Sequence, residues 1–141
     1  MPPDPSTADL LLAVAEPTRL RIVNCLAAGP LFVSELQALL RLPQPTVSRH
    51  LKVLREAGVV RDTPIARFVL YRLRRDGDAR GRLLSAILEA VTHDERLRRE
   101  REEAVARRRA DTRLRLPPGS AAVGRSIHRR PGPTPLRREQ P

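Results

Sequence analysis

The stretch that decides the fold runs from residue 44 to residue 61 and reads QPTVSRHLKVLREAGVVR. Val47, Leu51 and Leu54 follow one another at spacings of four and three residues, which places them on one side of an α-helix. Gly58 is suited to end that helix, and the two valines that follow favour a strand. This stretch therefore predicts a helix over residues 44–57 with a buried apolar face and a polar face in solvent.

Three shorter helices are predicted before this one. The first begins at Ser6 or Thr7, the second begins at Pro17, and the third covers residues 33–40. The glycine and proline at residues 29–30 end the second helix. The side chains assigned to the buried faces are Leu10, Leu11, Val14 and Ala15, then Leu20, Val23, Leu26 and Ala27, then Leu36, Leu39 and Leu40.

Two strands and a long helix are predicted after Gly58. Residues 59–63 and 68–73 form a hairpin, and the turn type stays open because residues 64–67 contain neither glycine nor asparagine. The last helix begins near Asp78. Its apolar stripe consists of Leu83, Leu84, Ile87, Leu88 and Val91. Four pairs of opposite charge at a spacing of four residues continue it: Glu95–Arg99, Arg98–Glu102, Arg99–Glu103 and Glu103–Arg107.

This order of elements predicts a mainly α fold with a small β-hairpin, a winged helix-turn-helix of about five helices and a two-stranded wing. The 141 residues allow one domain with tails. We expect an N-terminal arm at 1–7, the winged domain at 8–92, a charged helical extension at 93–116 and a tail at 117–141. The tail holds six prolines, three glycines and five arginines, so we expect it to be disordered and basic.

The charge balance favours a polyanionic partner. The chain carries 27 basic and 16 acidic side chains, a formal net charge of +11, which attracts phosphates. Aromatic residues make up only 2% of the chain, and single-strand binders usually stack bases on several aromatic rings. Single-stranded nucleic acid is therefore disfavoured as the partner.

The apolar pattern gives no membrane segment. The longest unbroken apolar run, residues 10–15, is far below the ~20 residues that span a bilayer. Asp4 and Asp9 lie in the N-terminal stretch, which has no early Arg or Lys and so does not read as a signal peptide. We expect a cytoplasmic protein that does not associate with membranes.

Three segments carry a resemblance to a known family. Residues 17–23, PTRLRIV, resemble the second-helix signature of ArsR-type (ArsR/SmtB) bacterial regulators. Residues 44–61 resemble their recognition helix and first wing strand, and residues 67–73, RFVLYRL, are similar to their second wing strand. The resemblance covers about residues 8–92. It implies a homodimeric transcriptional repressor that binds a pseudo-palindromic operator near a promoter and responds to an inducer that the sequence does not identify.

The predicted DNA contacts follow from how a helix fits the major groove, where its N-terminal half reaches base edges. Gln44 suits adenine and Arg49 suits guanine, while Thr46 and Ser48 suit bases or phosphates. The contacts expected at the DNA backbone and beside the wing are His50, Lys52, Arg61 and Arg67. The terminal helices are expected to form the dimer through Leu10, Leu11, Leu83, Leu84, Ile87, Leu88 and Val91.

The resemblance implies that the chain could sense arsenite or a divalent metal, which would require particular ligands at the matching positions. The arsenite site implied by the resemblance needs paired cysteines at the start of the third helix, where this chain reads LFVSEL at residues 31–36. Cys25 is the only cysteine and is expected to be a buried apolar residue. His93, Asp94 and Glu95 point about 100° apart on a helix and do not suit one ion. We expect no metal site and no cofactor, with a symmetric His93 site as the alternative.

Two other functions remain open, and an enzyme is disfavoured. A non-specific or architectural protein would bind unrelated duplexes equally and with a steep salt dependence. A protein–protein module built on the wing fold would bind no duplex. No glycine-rich phosphate loop, paired-carboxylate pocket or Ser-His-Asp arrangement is apparent, so we expect no catalytic residues.

Overall fold

Residues 3–110, which this computed structural model describes, fold into six helices and three short strands. The elements are α1 (Thr7–Ala15), α2 (Pro17–Leu26), β1 (Leu31–Phe32), α3 (Val33–Leu40), α4 (Gln44–Glu56), β2 (Val60–Ile65), β3 (Phe68–Leu73), α5 (Ala79–Ala90) and α6 (Glu95–Ala110), with a 3-10 turn at Val91–His93 between the last two helices. The expected tail at 117–141 and the end of the predicted extension, residues 111–116, lie outside the described residues.

Local capping explains where the first two helices begin. The Ser6 hydroxyl accepts a hydrogen bond from the Asp9 backbone N–H at 3.1 Å, and the Asp9 carboxylate accepts one from the Ser6 N–H at 2.6 Å. These reciprocal bonds satisfy two N–H groups that a helix start leaves unpaired. Glu16 caps α2 in a similar way, accepting from the Arg19 N–H at 2.8 Å, with Pro17 in the first turn.

The predicted helix-turn-helix is confirmed. Helix α3 buries Leu36, Leu39 and Leu40, and α4 buries the whole of Val47, Leu51 and Leu54. Residues 41–43 connect the two helices, as predicted. Pro43 precedes α4 and provides no side-chain hydrogen bond to its first turn. The helix forms nevertheless because its fully buried apolar stripe anchors it to the core.

The first two helices bury partly different side chains from those predicted. In α1, Leu11 and Ala15 are exposed and Ala13 is buried instead. In α2, Leu20 and Ala27 are only half-buried. The fully buried residues of that helix run through Ile22, Val23, Asn24, Cys25 and Leu26. Helix α2 is therefore covered on more than one side.

The wing belongs to a three-stranded antiparallel sheet rather than a two-stranded one. Strand β3 lies between β1 and β2, and the additional strand, β1, pairs Leu31 with Tyr71 and Phe32 with Leu70. The hairpin turn is shorter than predicted, because Pro64 and Ile65 lie in β2 and pair with Val69 and Phe68. Strand β2 is an edge strand, where proline is tolerated.

The predicted single long helix after Asp78 is wrong. The chain leaves α5 through the 3-10 turn, and Asp94 starts α6 by accepting the Leu97 N–H at 3.1 Å. Helix α6 then packs against α2 and α3, and it buries Leu97 and Ala104. The packed unit therefore extends past residue 92, the limit that the sequence predicted for it.

Candidate nucleic-acid interface

The outer face of α4 is polar and open. Pro45, Arg49, Lys52 and Glu56 are exposed on it, while the opposite face is fully buried. The spacing of the buried residues turns these side chains outward, because one helix cannot point both sets inward. Within residues 3–110, Arg49 and Lys52 form no ion pair. Their charges are thus free to meet an anionic partner.

The first turn of α4 groups the predicted base-reading side chains. The Gln44 side-chain amide donates a hydrogen bond to the Ser48 hydroxyl at 2.7 Å on the exposed surface. Thr46 is half-buried beside them. Both exposed polar groups are therefore oriented together, and either can exchange its partner for a base edge or a phosphate.

Two of the predicted contacts are engaged within the protein. His50 Nδ1 lies 3.7 Å from a Glu16 carboxylate oxygen, so its ring faces the junction of α1 and α2. Arg61 pairs with Asp76 at 3.3 Å at the base of the wing. Arg74 also donates to that carboxylate, at 2.6 Å, and this hydrogen bond lowers the pKa of Asp76. The roles predicted for His50 and Arg61 therefore require these internal contacts to break or be shared.

The wing is tied to α4 by a contact that sequence reasoning missed. Arg55 donates to the Asp62 carboxylate at 3.1 Å, which joins the C-terminal half of α4 to β2. Arg67 lies in the hairpin turn beside Ala66, is exposed, and has no ion pair within the described part of the chain. Ala66 takes a left-handed conformation, φ 54°, so the turn projects without glycine at its tip.

A further exposed cation, which the predicted set of DNA contacts did not include, lies just before α4. Arg41 ends α3 with φ 55° and is exposed. The signal that could have found it is an arginine in a three-residue connector between helices, a place where glycine or asparagine is favoured.

The residues expected in the dimer interface fall into two groups. Leu10, Leu84 and Leu88 are buried in the core of the single chain, so they have little surface left for a second subunit, and we assign them to the core instead. The remaining residues of that set are at least partly accessible: Leu11, Leu83, Ile87 and Val91. Leu12, which is 70% exposed, lies beside Leu11 and was not in the predicted set.

The candidate metal ligands do not form a cluster. Within residues 3–110, no three His, Cys, Asp or Glu side chains are close enough together to hold a metal ion. His93 is exposed in the 3-10 turn. Cys25 is completely buried, and this burial is the main reason that its pKa rises to about 12. The thiol is thus unsuited to react or bind in the folded state.

The described helices also contain no membrane span: none between residues 3 and 110 combines the length and apolar character that crossing a bilayer requires.

Comparisons with known proteins agree with this architecture. The family model described as "Bacterial regulatory protein, arsR family" matches residues 16–62. The chain is 43% identical over 88 residues to the HTH-type transcriptional repressor SmtB of Mycobacterium tuberculosis, a match that covers 62% of each protein. It is 47% identical over 73 residues to the biofilm growth-associated repressor of Agrobacterium fabrum, covering 52% of this chain and 62% of the relative. The chain thus spans about three fifths of the length of these curated relatives.

Solved structures show the same fold. Reduced HlyU from Vibrio cholerae superposes with a TM-score of 0.53 and 32% identity, covering 61% of this chain and 84% of that chain. The transcriptional repressor BigR from Xylella fastidiosa superposes with a TM-score of 0.53 and 31% identity, covering 61% of this chain and 82% of that chain.

Proposed function

Because this chain belongs to the ArsR family of bacterial regulatory proteins, a family of transcriptional regulators and not of enzymes, we propose that it is a sequence-specific DNA-binding repressor that acts as a homodimer. The observation that carries the proposal is the contrast between the two faces of α4. Its underside is fully buried, and its outer face presents Arg49 and Lys52 without ion pairs in the described chain. A rigid, exposed, basic helix face suits the major groove.

In this proposal the first half of α4 reads bases. Gln44 and Arg49 make the base contacts, and Thr46 and Ser48 contact bases or phosphates beside them. Lys52 binds the DNA backbone, and Arg67 lies over an adjacent minor groove at the wing tip. Arg61 and His50 are secondary, since each first has to leave its carboxylate partner.

The homodimer would form through the accessible apolar residues of the terminal helices. Leu11 and Leu12 on α1 and Leu83 and Ile87 on α5 leave apolar surface uncovered in the single chain. A two-fold axis through these helices would set two copies of α4 about 34–36 Å apart, one turn of DNA. The operator is then an imperfect palindrome.

We further propose that the inducer does not act through thiolate or clustered histidine ligands. The start of α3 carries Val33, Ser34 and Glu35 instead of cysteines, and the single thiol, Cys25, is buried. Addition of arsenite or zinc to the protein–DNA complex should therefore leave its affinity unchanged, and a metal-dependent release would contradict this part of the proposal.

The test is selection of bound duplexes from a random pool, followed by footprinting of the selected site. We expect a protected site with two-fold symmetry and a clear preference over random DNA. Equal affinity for unrelated duplexes would instead support an architectural protein, and absence of binding at low salt would support a protein–protein module.

The variant Arg49→Ala sharpens this test. We expect it to cost about 1–3 kcal/mol of binding free energy on the selected site and to relax preference at one base pair per half-site. Arg96→Ala removes an equal charge from the exposed surface of α6 and serves as the control. A uniform loss on all sequences would make Arg49 a phosphate contact.

A further inference from the structure

Between residues 3 and 110, three helices are followed by a residue in a left-handed or otherwise positive-φ conformation, and one of the three residues differs from the others. Gly29 follows α2 with φ 131°, and Gly58 follows α4 with φ 70°. Arg41 follows α3 with φ 55°. Glycine adopts such conformations freely, whereas a residue with a Cβ atom is disfavoured there. The turn of the helix-turn-helix thus holds a residue that its backbone geometry does not favour.

The backbone of this turn makes no use of the arginine side chain. The left-handed residue lets the N–H groups of Arg41 and Leu42 both donate to the carbonyl of Gln37, the second at 3.3 Å. Glycine or asparagine would close the turn in the same way. An outlier of this kind is a reason to look for a function of the side chain.

Arg41 also differs from the arginines that hold the fold together. Arg21, Arg80 and Arg101 each donate to backbone carbonyls of other elements. Arg41 is exposed and makes no hydrogen bond or ion pair through its side chain with any residue between 3 and 110. Within the described chain, therefore, its charge has no structural partner.

The groove beside Arg41 does not supply that partner either. This open groove lies between α3 and α6, and three carboxylates border it. Glu95 is paired with Arg99, and Glu100 is paired with Arg21. The third, Glu103, forms no ion pair with Arg41 within residues 3–110. Substitution of Glu103 therefore serves as a control for the effect of charge in this groove.

The position of Arg41 places it beside the DNA-reading end of α4. Only Leu42 and Pro43 separate it from Gln44, so the two Cα atoms are at most about 11 Å apart. We propose that Arg41 binds a phosphate of the DNA strand that flanks the N-terminal end of α4. This inference rests on the proposed function, and it adds a backbone contact that the predicted set of DNA-binding residues lacked.

The test measures stability and DNA affinity on the same three variants of the full chain. Arg41→Gly removes both the strain and the charge, Arg41→Asn removes the charge from a turn that asparagine tolerates, and Arg41→Lys keeps both. We expect Arg41→Gly to raise the midpoint of thermal unfolding by about 4 °C, with Ala66→Gly calibrating the gain from a second left-handed residue. If the Arg41 side chain served only to stabilise the fold, Arg41→Gly would lower the midpoint of thermal unfolding.

DNA binding should move in the opposite direction. We expect Arg41→Gly and Arg41→Asn to weaken binding on the order of tenfold on selected and random duplexes alike. The slope of log affinity against log salt should fall by about 1 per subunit. Arg41→Lys should stay within about threefold of the parent protein, and Glu103→Gln should not mimic the loss.

Each other outcome overturns the inference. Unchanged affinity of Arg41→Gly would mean that Arg41 does not touch DNA. A loss confined to the selected site would make it a base contact, and a loss reproduced by Glu103→Gln would make it a structural charge. If the parent protein binds no duplex, the proposed function itself fails, which is a separate result.

Discussion

Helices α4 and α6 are similar in length and are attached to the same core in different ways. Helix α4 is held by three aliphatic side chains that are completely buried, Val47, Leu51 and Leu54. Helix α6 contributes only Leu97 and Ala104 to the buried residues. It is also attached by hydrogen bonds and an ion pair.

The polar attachment of α6 reaches α2, α3 and α5, the last through Arg101, which donates to the carbonyl of Leu88 at 3.0 Å. Arg21 of α2 pairs with Glu100 of α6 at 2.6 Å, with only 17% and 13% of their side chains exposed. Arg21 also donates to the carbonyl of Leu40 at the end of α3. The buried Asn24 donates to the carbonyl of Leu97 at 2.6 Å and accepts from Arg101 at 2.9 Å. Apolar burial tolerates small shifts, whereas such a network loses much of its value when one member is removed.

The largest expected effect is on the apolar side of this comparison. Leu51→Ala removes a fully buried side chain beneath the outer face of α4, and we expect it to lower the free energy of unfolding by about 3 kcal/mol. Val53→Ala changes a residue of the same helix that is 38% exposed and should cost less than about 1 kcal/mol. Urea unfolding followed by circular dichroism measures both. Equal losses would show that α4 is not held by its underside.

The next largest effect tests the polar side. Glu100→Gln keeps the shape of the side chain and leaves the charge of Arg21 uncompensated, so we expect a loss of about 2 kcal/mol. Glu102→Gln alters the neighbouring exposed pair with Arg98, in which the atoms are 3.8 Å apart, and should stay within about 0.5 kcal/mol. If the two variants were equally stable, α6 would depend on its apolar contacts alone.

Cys25 shows whether the Glu100 variant opens α6 locally. The thiol is fully buried on α2, and both Glu100 and Arg101 of α6 act on it electrostatically. Because burial holds its pKa at about 12, labelling by a thiol reagent near pH 8 requires opening. We expect Glu100→Gln to speed labelling on the order of tenfold and Glu102→Gln to leave it unchanged. An unchanged rate in Glu100→Gln would mean that Cys25 is exposed by a different motion.

The same contrast explains what could be predicted from the sequence. The buried residues of α4 lie three or four positions apart, so the sequence alone shows the helix period. The bounds and buried residues of α4 were therefore predicted almost to the residue. The break at 91–94 contains neither glycine nor proline, and the one local signal was Asp94, which caps α6. The docking of α6 depends on contacts between residues more than 70 positions apart, such as Asn24 and Leu97, and no local pattern reports them.

The candidate site likewise contains features that the sequence predicts and features that depend on contacts between distant residues. The exposure of Arg49 and Lys52 follows from the helix period and was predicted. The ion pair of Arg61 with Asp76 depends on how the loop after β3 returns to the wing, and the contact of His50 with Glu16 depends on the crossing of α2 and α4. Neither distance is available from sequence spacing. Strand β1, with two residues, is too short to give a periodic signal.

The smallest expected effect concerns an exposed polar contact at the base of the wing. Arg74 donates to Asp76 and lowers its pKa below the usual 3.8. A carboxyl whose folded pKa is depressed adds stability above its unfolded pKa, and that contribution is lost as the pH falls through the folded value. The unfolding midpoints of the parent protein and of Asp76→Asn should therefore differ slightly at pH 6 and converge below pH 4. Arg74→Gln should give the same convergence, because it removes the largest cause of the depressed pKa. If the difference between parent and Asp76→Asn instead widened in acid, the carboxyl would be held protonated by burial, and the contact at the wing base would not be an exposed ion pair.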